Sequence, residues 1–281
     1  MERGQARMEN NKYNPEDSFK INGCEIGLTV LDFWKYAYSD LNADSRDVIA
    51  EFLVSNALGI HEATNRQDWT LYDIDFRGVR IEVKCTGFYQ TWREDDNVSE
   101  ERRFSIRQAT DRKTKICERH NDIYVFCLLK GNTRQEANPL VLENWEFYVI
   151  PTSKINEECG NNKSISLNKV KKLCNPSNYS DLKNEIIEHT GIIAMKHALK
   201  ELSKTQIKFV CDECVIDTVT LKNMNEQQIY DIVYETMCNI EIEEVCANTD
   251  GNDTVRCAIA SDIVTILGNA MARAEGFYEE Q

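Results

Sequence analysis

The stretch LYDIDFRGVRIEVKCTG, residues 71–87, constrains this chain more than any other. Apolar and polar residues alternate with period two on both sides of Arg77-Gly78. Two strands joined by a two-residue turn keep such an alternation on one face. With Arg77 and Gly78 as the turn, the spacing pairs Phe76 with Val79, Asp75 with Arg80, Ile74 with Ile81 and Asp73 with Glu82. Tyr72, Ile74, Phe76, Val79, Ile81 and Val83 then share one side, and Asp73, Asp75, Arg80, Glu82 and Lys84 the other. The first set makes a core face. The second gathers carboxylates around a lysine.

Carboxylates directly opposite each other on adjacent strands stand about 5 Å apart at Cβ. Anions that close repel, and a cation is the natural compensation. Hard oxygen donors select Mg2+ or Mn2+, and Mg2+ keeps several waters while taking only one or two carboxylates. Asp73 and Glu82 are the candidate ligands, and Asp75, on the same face, rivals Asp73. Lys84 adds a compact positive charge that could orient a water or offset charge growing on a phosphate oxygen. The plainer alternative is a solvated face with cross-strand ion pairs such as Asp75 with Arg80, each worth about 0.2–1 kcal/mol.

The flanking sequence supplies further elements. Residues 1–25 read as irregular, LTVLDFWKYAYSDL as a helix, and RDVIAEFLVSNAL as a second helix capped by Asp44 or Ser45 and ended by Gly59. In that second helix Val48, Phe52 and Ala57 are expected to face the core, with Asp47, Glu51 and Ser55 on another face. Glu51 is therefore the best-placed fourth member of the carboxylate group, acting through a water. RRFSIRQ reads as a strand, DRKTKICERH as a short basic helix, DIYVFCLL as a buried strand and EFYVIPT as a strand ended by Pro151. Residues 165–174 and 181–203 read as helical. In the tail, KFVCDECVIDTVTL suggests a hairpin about Asp212-Glu213, followed by helices over NEQQIYDIVYETMCN and VRCAIASDIVTILGNAMARA.

Glu51 on a helix, YDID and IEVK across a hairpin, then a strand, a basic helix and the apolar strand IYVFCLL: this order resembles the PD-(D/E)xK superfamily of restriction-endonuclease-like nucleases. The resemblance runs from about Leu31 to Thr152, and VLDFWKYAYSDL, EVKCTGFYQTW and WEFYVIPTS look like a bacterial branch of it. It implies an α/β fold with a restriction-endonuclease-like αβββαβ core around a mixed central sheet, with helical additions and a small acidic α+β module at the C-terminus. By the same resemblance Asp73, Glu82 and the backbone carbonyl of Val83 bind Mg2+ or Mn2+, Glu51 joins through water, and Lys84 serves the attacking water. Tyr72 stands where the motif has proline. The implied activity is metal-dependent endonucleolytic cleavage of DNA in bacterial restriction or phage defence, often by a homodimer that cuts both strands. The alternative is a non-catalytic interaction protein with a nuclease-like fold.

A formal charge of −14, from 33 basic and 47 acidic residues, argues against a nucleic-acid partner for the chain as a whole. Along the chain it divides into −8 for residues 1–100, +6 for 101–210 and −12 for 211–281. The basic middle supplies candidate phosphate contacts in Arg107, Arg112, Lys113 and Lys115, and Gln90 and Ser105 could join them. The change of sign suggests three regions: an irregular segment over 1–30, the nuclease-like domain over 31–205 and an acidic module over 206–281 that docks a protein partner or mimics DNA. The eleven cysteines are scattered and odd in number, which fits reduced thiols; Cys211 and Cys214 form a C-x2-C without the second pair that a structural zinc needs. Met1–Lys12 is polar and no long apolar run occurs, so a cytoplasmic protein without a membrane partner is expected.

Overall fold

The computed structural model describes residues 13–38, 41, 45–60, 71–89, 101–239 and 253–276. Strands β1 (Ser18–Ile21) and β2 (Cys24–Thr29) form a hairpin on Asn22-Gly23, both residues at positive φ. This corrects the irregular reading of residues 1–25: Asn-Gly is the strongest two-residue turn signal, and it outweighed the polar clusters around it. Helix α1 (Val30–Ala37) follows, its first turn closed by a capping box in which Thr29 and Asp32 bond each other's backbone N–H.

Helix α2 (Arg46–Ala57) forms where expected, but Ser45 gives it no side-chain cap and Asp44 lies outside the described residues. Its buried face is Ala50, Leu53, Val54 and Leu58, whereas Phe52 is exposed. The apolar residues of the helix spread over more than half of its circumference, so sequence alone left undetermined which part of that arc is buried. Strands β3 (Ile74–Phe76) and β4 (Val79–Gly87) pair in the predicted register for Ile74 with Ile81, Asp75 with Arg80 and Phe76 with Val79. The fourth expected pair, Asp73 with Glu82, is not part of the ladder, because β3 begins at Ile74 and the Asp73 N–H turns to Ile81 O. Arg77 and Gly78 take φ of 55° and 81°, which makes the turn type I′.

The next three strands are short: β5 (Arg103–Ser105), β6 (Ala109–Thr110) and β7 (Cys117–Glu118). The last two pair as a small hairpin where DRKTKICERH was expected to be helical. That segment has a single aliphatic residue, Ile116, and so no apolar stripe for a helix to bury. Asp111 closes the turn instead, accepting from Lys113 N–H at 2.7 Å and exchanging backbone bonds with Lys115 and Ile116. Strand β8 (Ile123–Leu129) lies parallel to β4, and β9 (Trp145–Pro151) runs antiparallel to β8. The result is a mixed α/β protein with a four-stranded mixed sheet in the order β3-β4-β8-β9.

Helix α3 (Thr152–Cys159), strand β10 (Ser164–Ser166) and helices α4 (Leu167–Leu173) and α5 (Leu182–Glu201) follow. Strand β10 pairs with β5, so RRFSIRQ forms a strand outside the central sheet. One side of the sheet packs Ile81, Val83, Val125, Phe147 and Val149 against α2 and the first half of α5. The other side packs Tyr124, Phe126, Leu128, Tyr148 and Ile150 under β5, β10, α3 and α4. Both faces of β8 are therefore buried, and the charged side of β4 borders a second core instead of open water.

The tail is helical among its described residues: α6 (Lys204–Glu213), α7 (Thr218–Asn223), α8 (Glu226–Gln228) running through a π-helical stretch at Ile229–Tyr234 into α9 (Glu235–Asn239), and α10 (Asp253–Glu275). The hairpin expected about Asp212-Glu213 is absent because Phe209, Val210 and Cys211 are consecutive buried residues, a pattern a half-buried strand cannot make. The local start signal is a capping box between Ser203 and Gln206. Met195 and Leu199 of α5 belong to this third core, so α5 joins it to the sheet. The C-terminal end of α10 is held by Arg77 at the β3–β4 turn, whose Nη1 donates to Ala274 O at 2.9 Å. Among the described residues no helix is long and apolar enough to cross a membrane.

Candidate active site

Asp73 stands one residue before β3 and is bound to β4 by its backbone and its side chain. Its N–H donates to Ile81 O at 3.0 Å, and its Oδ2 accepts from Val83 N–H at 2.7 Å. The carboxylate therefore lies against the strand beside Glu82. In an extended strand a residue's N–H and C=O leave on the same side, so the Val83 carbonyl points toward the side where β3 has ended. The Lys84 ammonium pairs with Glu82 Oε1 and lies 3.9 Å from Asp73 Oδ2. These three side chains are only 19–29% exposed.

The cross-strand ion pair expected of a solvated face, Asp75 with Arg80, does not form. Asp75 and Arg80 face each other in the ladder but do not pair: Asp75 accepts from Gly78 N–H at 3.0 Å, inside its own turn. Arg80 instead binds Asp122 bidentately, with both guanidinium contacts at 2.9 Å. Asp75 is thus occupied by the turn, and Asp73 is the aspartate that meets Glu82 and Lys84.

The electrostatics of the group are those of crowded anions. Burial raises Glu82 above the usual carboxylate value, repulsion from Asp73 and Glu51 adds to the rise, and Lys84 opposes it. Burial acts most strongly on Lys84 and would lower it, but Glu82, Asp73 and Asp47 together outweigh that and hold the ammonium above its ordinary value. Glu51, half-buried on α2, is therefore within electrostatic reach of Glu82, as its place on the helix implied.

Sequence reasoning gave no site role to two neighbours on the first turn of α2, placing Asp47 on the face of Glu51 and leaving Arg46 aside. Asp47 acts on Lys84, and Arg46 is buried against the end of β4. A Cβ at Gly87 would meet Arg46 Nη1 at 2.1 Å, so the glycine makes room for the guanidinium. A glycine closing an otherwise regular strand was the available signal.

The donor chemistry fits a small hard cation. Asp73 and Glu82 already flank one positive group, the Lys84 ammonium, and the Val83 carbonyl supplies a third oxygen nearby. Among the described residues no three His, Cys, Asp or Glu side chains converge as a complete ligand set. A metal held here would keep most of its waters, as Mg2+ characteristically does.

The accessory residues stand on other elements. Ser105 is exposed on β5, Arg107 just beyond it, and Arg112, Lys113 and Lys115 on the exposed tip of the β6–β7 hairpin. Among the described residues none of these makes a hydrogen bond or ion pair to Asp73, Glu82 or Lys84; Gln90 lies outside the described residues. Three other basic residues of this region are structural. Arg102 bonds Phe88 O, Arg103 pairs with Glu101, and the buried Arg119 reaches Ile106 O, Asn156 and Asn162 O. Cys211 and Cys214 are free thiols, Cys211 near Thr218 and Cys214 bonding Ile232 O. Comparison of the chain with protein-family models, curated proteins and solved structures gave no match.

Proposed function

We propose that this protein is a metal-dependent endonuclease of the PD-(D/E)xK type acting on DNA. The observation that carries the proposal is the half-buried cluster in which two carboxylates on adjoining backbone flank one lysine ammonium. Asp73, Glu82 and the Val83 carbonyl would hold Mg2+ or Mn2+, and Glu51 would reach it through water. The bound metal would supply Lewis-acid polarisation of the phosphate and a more acidic water. Lys84 would move off Glu82 once a cation neutralises the pair, and its ammonium would then orient the attacking water and balance charge on the phosphate oxygen. Asp73, anchored to Val83 N–H, keeps its carboxylate in place through that change. Arg107, Arg112, Lys113 and Lys115 would hold phosphates without reading sequence. Restriction or phage defence belongs to the same proposal.

The homodimer does too. Phe19, Ile21, Leu28, Phe33 and Tyr36 of β1, β2 and α1 are all exposed, an apolar surface of the kind that marks protein contacts. The small residues Ala258, Ala260, Gly268, Ala270 and Ala272 of α10 offer a poorer dimer surface, because Ala260 is already buried in the third core. One observation favours a second reading, a non-catalytic interaction protein: Lys84 already pairs with Glu82 without a metal.

The test is incubation of purified protein with plasmid and with single-stranded DNA in Mg2+, Mn2+ or EDTA, beside Glu82→Ala and Lys84→Ala. Cleavage that requires metal and both residues is expected. No cleavage with either metal, or cleavage that survives both substitutions, would overturn the proposal.

A further inference from the structure

The third core has a cavity that nothing in the nuclease reading uses. It lies between the C-terminal half of α5, α6 and α7 and encloses about 820 Å³, within the range of small-molecule sites. Its floor is aliphatic: Leu199, Leu202, Ile207, Leu221 and Ile229 line it. Leu199, Leu221 and Ile229 are buried members of the core, so the floor is firm, while Leu202 and Ile207 are half-buried at the opening.

Its rim is basic. Lys196 and Lys200 stand one helical turn apart on α5, Lys204 and Lys208 one turn apart on α6, and Lys222 closes the ring from α7. Two aspartates, Asp212 and Asp217, also border the cavity. Asp217 is occupied as the N-cap of α7, accepting from Val219 and Thr220 N–H at 2.8 and 2.9 Å. Five ammonium groups against two carboxylates make this a positive mouth where the basic middle of the chain meets its acidic tail. Lysine stems lie readily along apolar surface with the charge held at the water boundary, which is the geometry needed to meet an anionic head above a buried tail.

The lining also limits the ligand. Among the described residues that line it none is aromatic, so they offer a nucleobase nothing to stack on. A bare phosphate track would need no buried aliphatic floor. Lysines present point charges without the planar fork that arginine offers, and this suits a single carboxylate whose position is set mainly by its tail. We propose that this cavity binds a straight-chain aliphatic carboxylate, tail inward on Leu199, Leu221 and Ile229 and head among the lysines.

The test is calorimetric titration of the full chain with octanoate, decanoate and dodecanoate below their micellar concentrations, and with dodecyltrimethylammonium as the cationic control. The site predicts one ligand per chain, a Kd that tightens about fourfold per added methylene, weaker binding at high salt and no binding of the cation. Ile207→Trp, which fills the mouth, should abolish binding, and the double charge reversal Lys200→Glu with Lys208→Glu should weaken it at least tenfold, with circular dichroism confirming that each variant is folded. If Ile207→Trp does not fold, the lysine variant decides alone. Absence of binding, equal affinity across chain lengths, or binding untouched by the folded variants overturns the proposal. So does displacement of bound dodecanoate by a short DNA duplex through the same lysines with no dependence on Ile207, which would make the surface a phosphate track.

Discussion

Strand β4 carries two charged clusters on the same face, two residues apart, and they have opposite character. At Arg80 every charge is answered. Asp122 accepts from the Arg80 guanidinium and backbone N–H and from His197 Nε2 at 3.0 Å. Burial acts most strongly on Asp122 and would raise it, yet the bonds from His197 and Arg80 outweigh burial and hold it far below the usual carboxylate range. At Glu82 the balance fails. Asp73, Glu51 and Asp47 crowd one ammonium, and Glu82 is pushed up from its ordinary value, first by burial and then by repulsion from Asp73 and Glu51. The first cluster is built to stay charged and hold α5 to the sheet. The second holds fewer positive charges than carboxylates, which is the imbalance the proposed cation would offset.

The largest contrast is expected in activity. Glu82→Ala or Lys84→Ala should lower the plasmid cleavage rate about 10²–10³-fold, whereas Asp122→Ala, assayed per folded molecule, should stay within a factor of a few of the wild type. Equal losses from both clusters would break the distinction. In stability the order reverses. Asp122→Ala strands Arg80, its backbone N–H and His197, and should cost about 3 kcal/mol in urea denaturation. Glu82→Gln, which removes a repelled charge, should leave metal-free protein at least as stable as the wild type.

Gly87→Ala sharpens the role of Arg46, which the added methyl must displace from beside β4. The expected cost is about 1–3 kcal/mol by the overpacking rule, read as a lower urea midpoint; a wild-type midpoint would mean that Arg46 moves freely. The pH response is smaller and separates the clusters by sign. Because the folded value of Asp122 is depressed, its contribution is complete above about pH 4 and is lost as pH falls further, toward its folded value. The urea midpoint should drop over that acid range in the wild type, and less steeply in Asp122→Ala. A midpoint equally pH-dependent in both would remove Asp122 from the account.

The parts of this fold legible in sequence are those set by neighbouring residues. The β3–β4 register followed from alternation around a two-residue turn and puts Glu82 and Lys84 on one face, while Asp73 joins them from before the ladder through the bond it accepts from Val83 N–H. The Asn22-Gly23 hairpin was equally local and was overlooked. What could not be read was long-range choice. Arg80 passes over Asp75, directly opposite, for Asp122, 42 residues away, and β5 leaves the central sheet for β10. The burial of the charged face of β4 depends on those choices, since it is β5, β10, α3 and α4 that build the second core. The rotation of α2 was hidden by the width of its apolar arc, which is why Glu51 and Asp47 were placed on one face while the burial of Arg46 against β4 was not foreseen.

The central claim is that the Glu82 cluster is a cation site and the Arg80 cluster is not. Titration of Mn2+ followed by electron paramagnetic resonance tests it without depending on any nucleic-acid substrate. One ion should bind per wild-type chain and per Asp122→Ala chain, and binding should disappear in the double variant Asp73→Asn with Glu82→Gln. A wild-type chain that binds no Mn2+, or a double variant that binds it as well, would contradict the account.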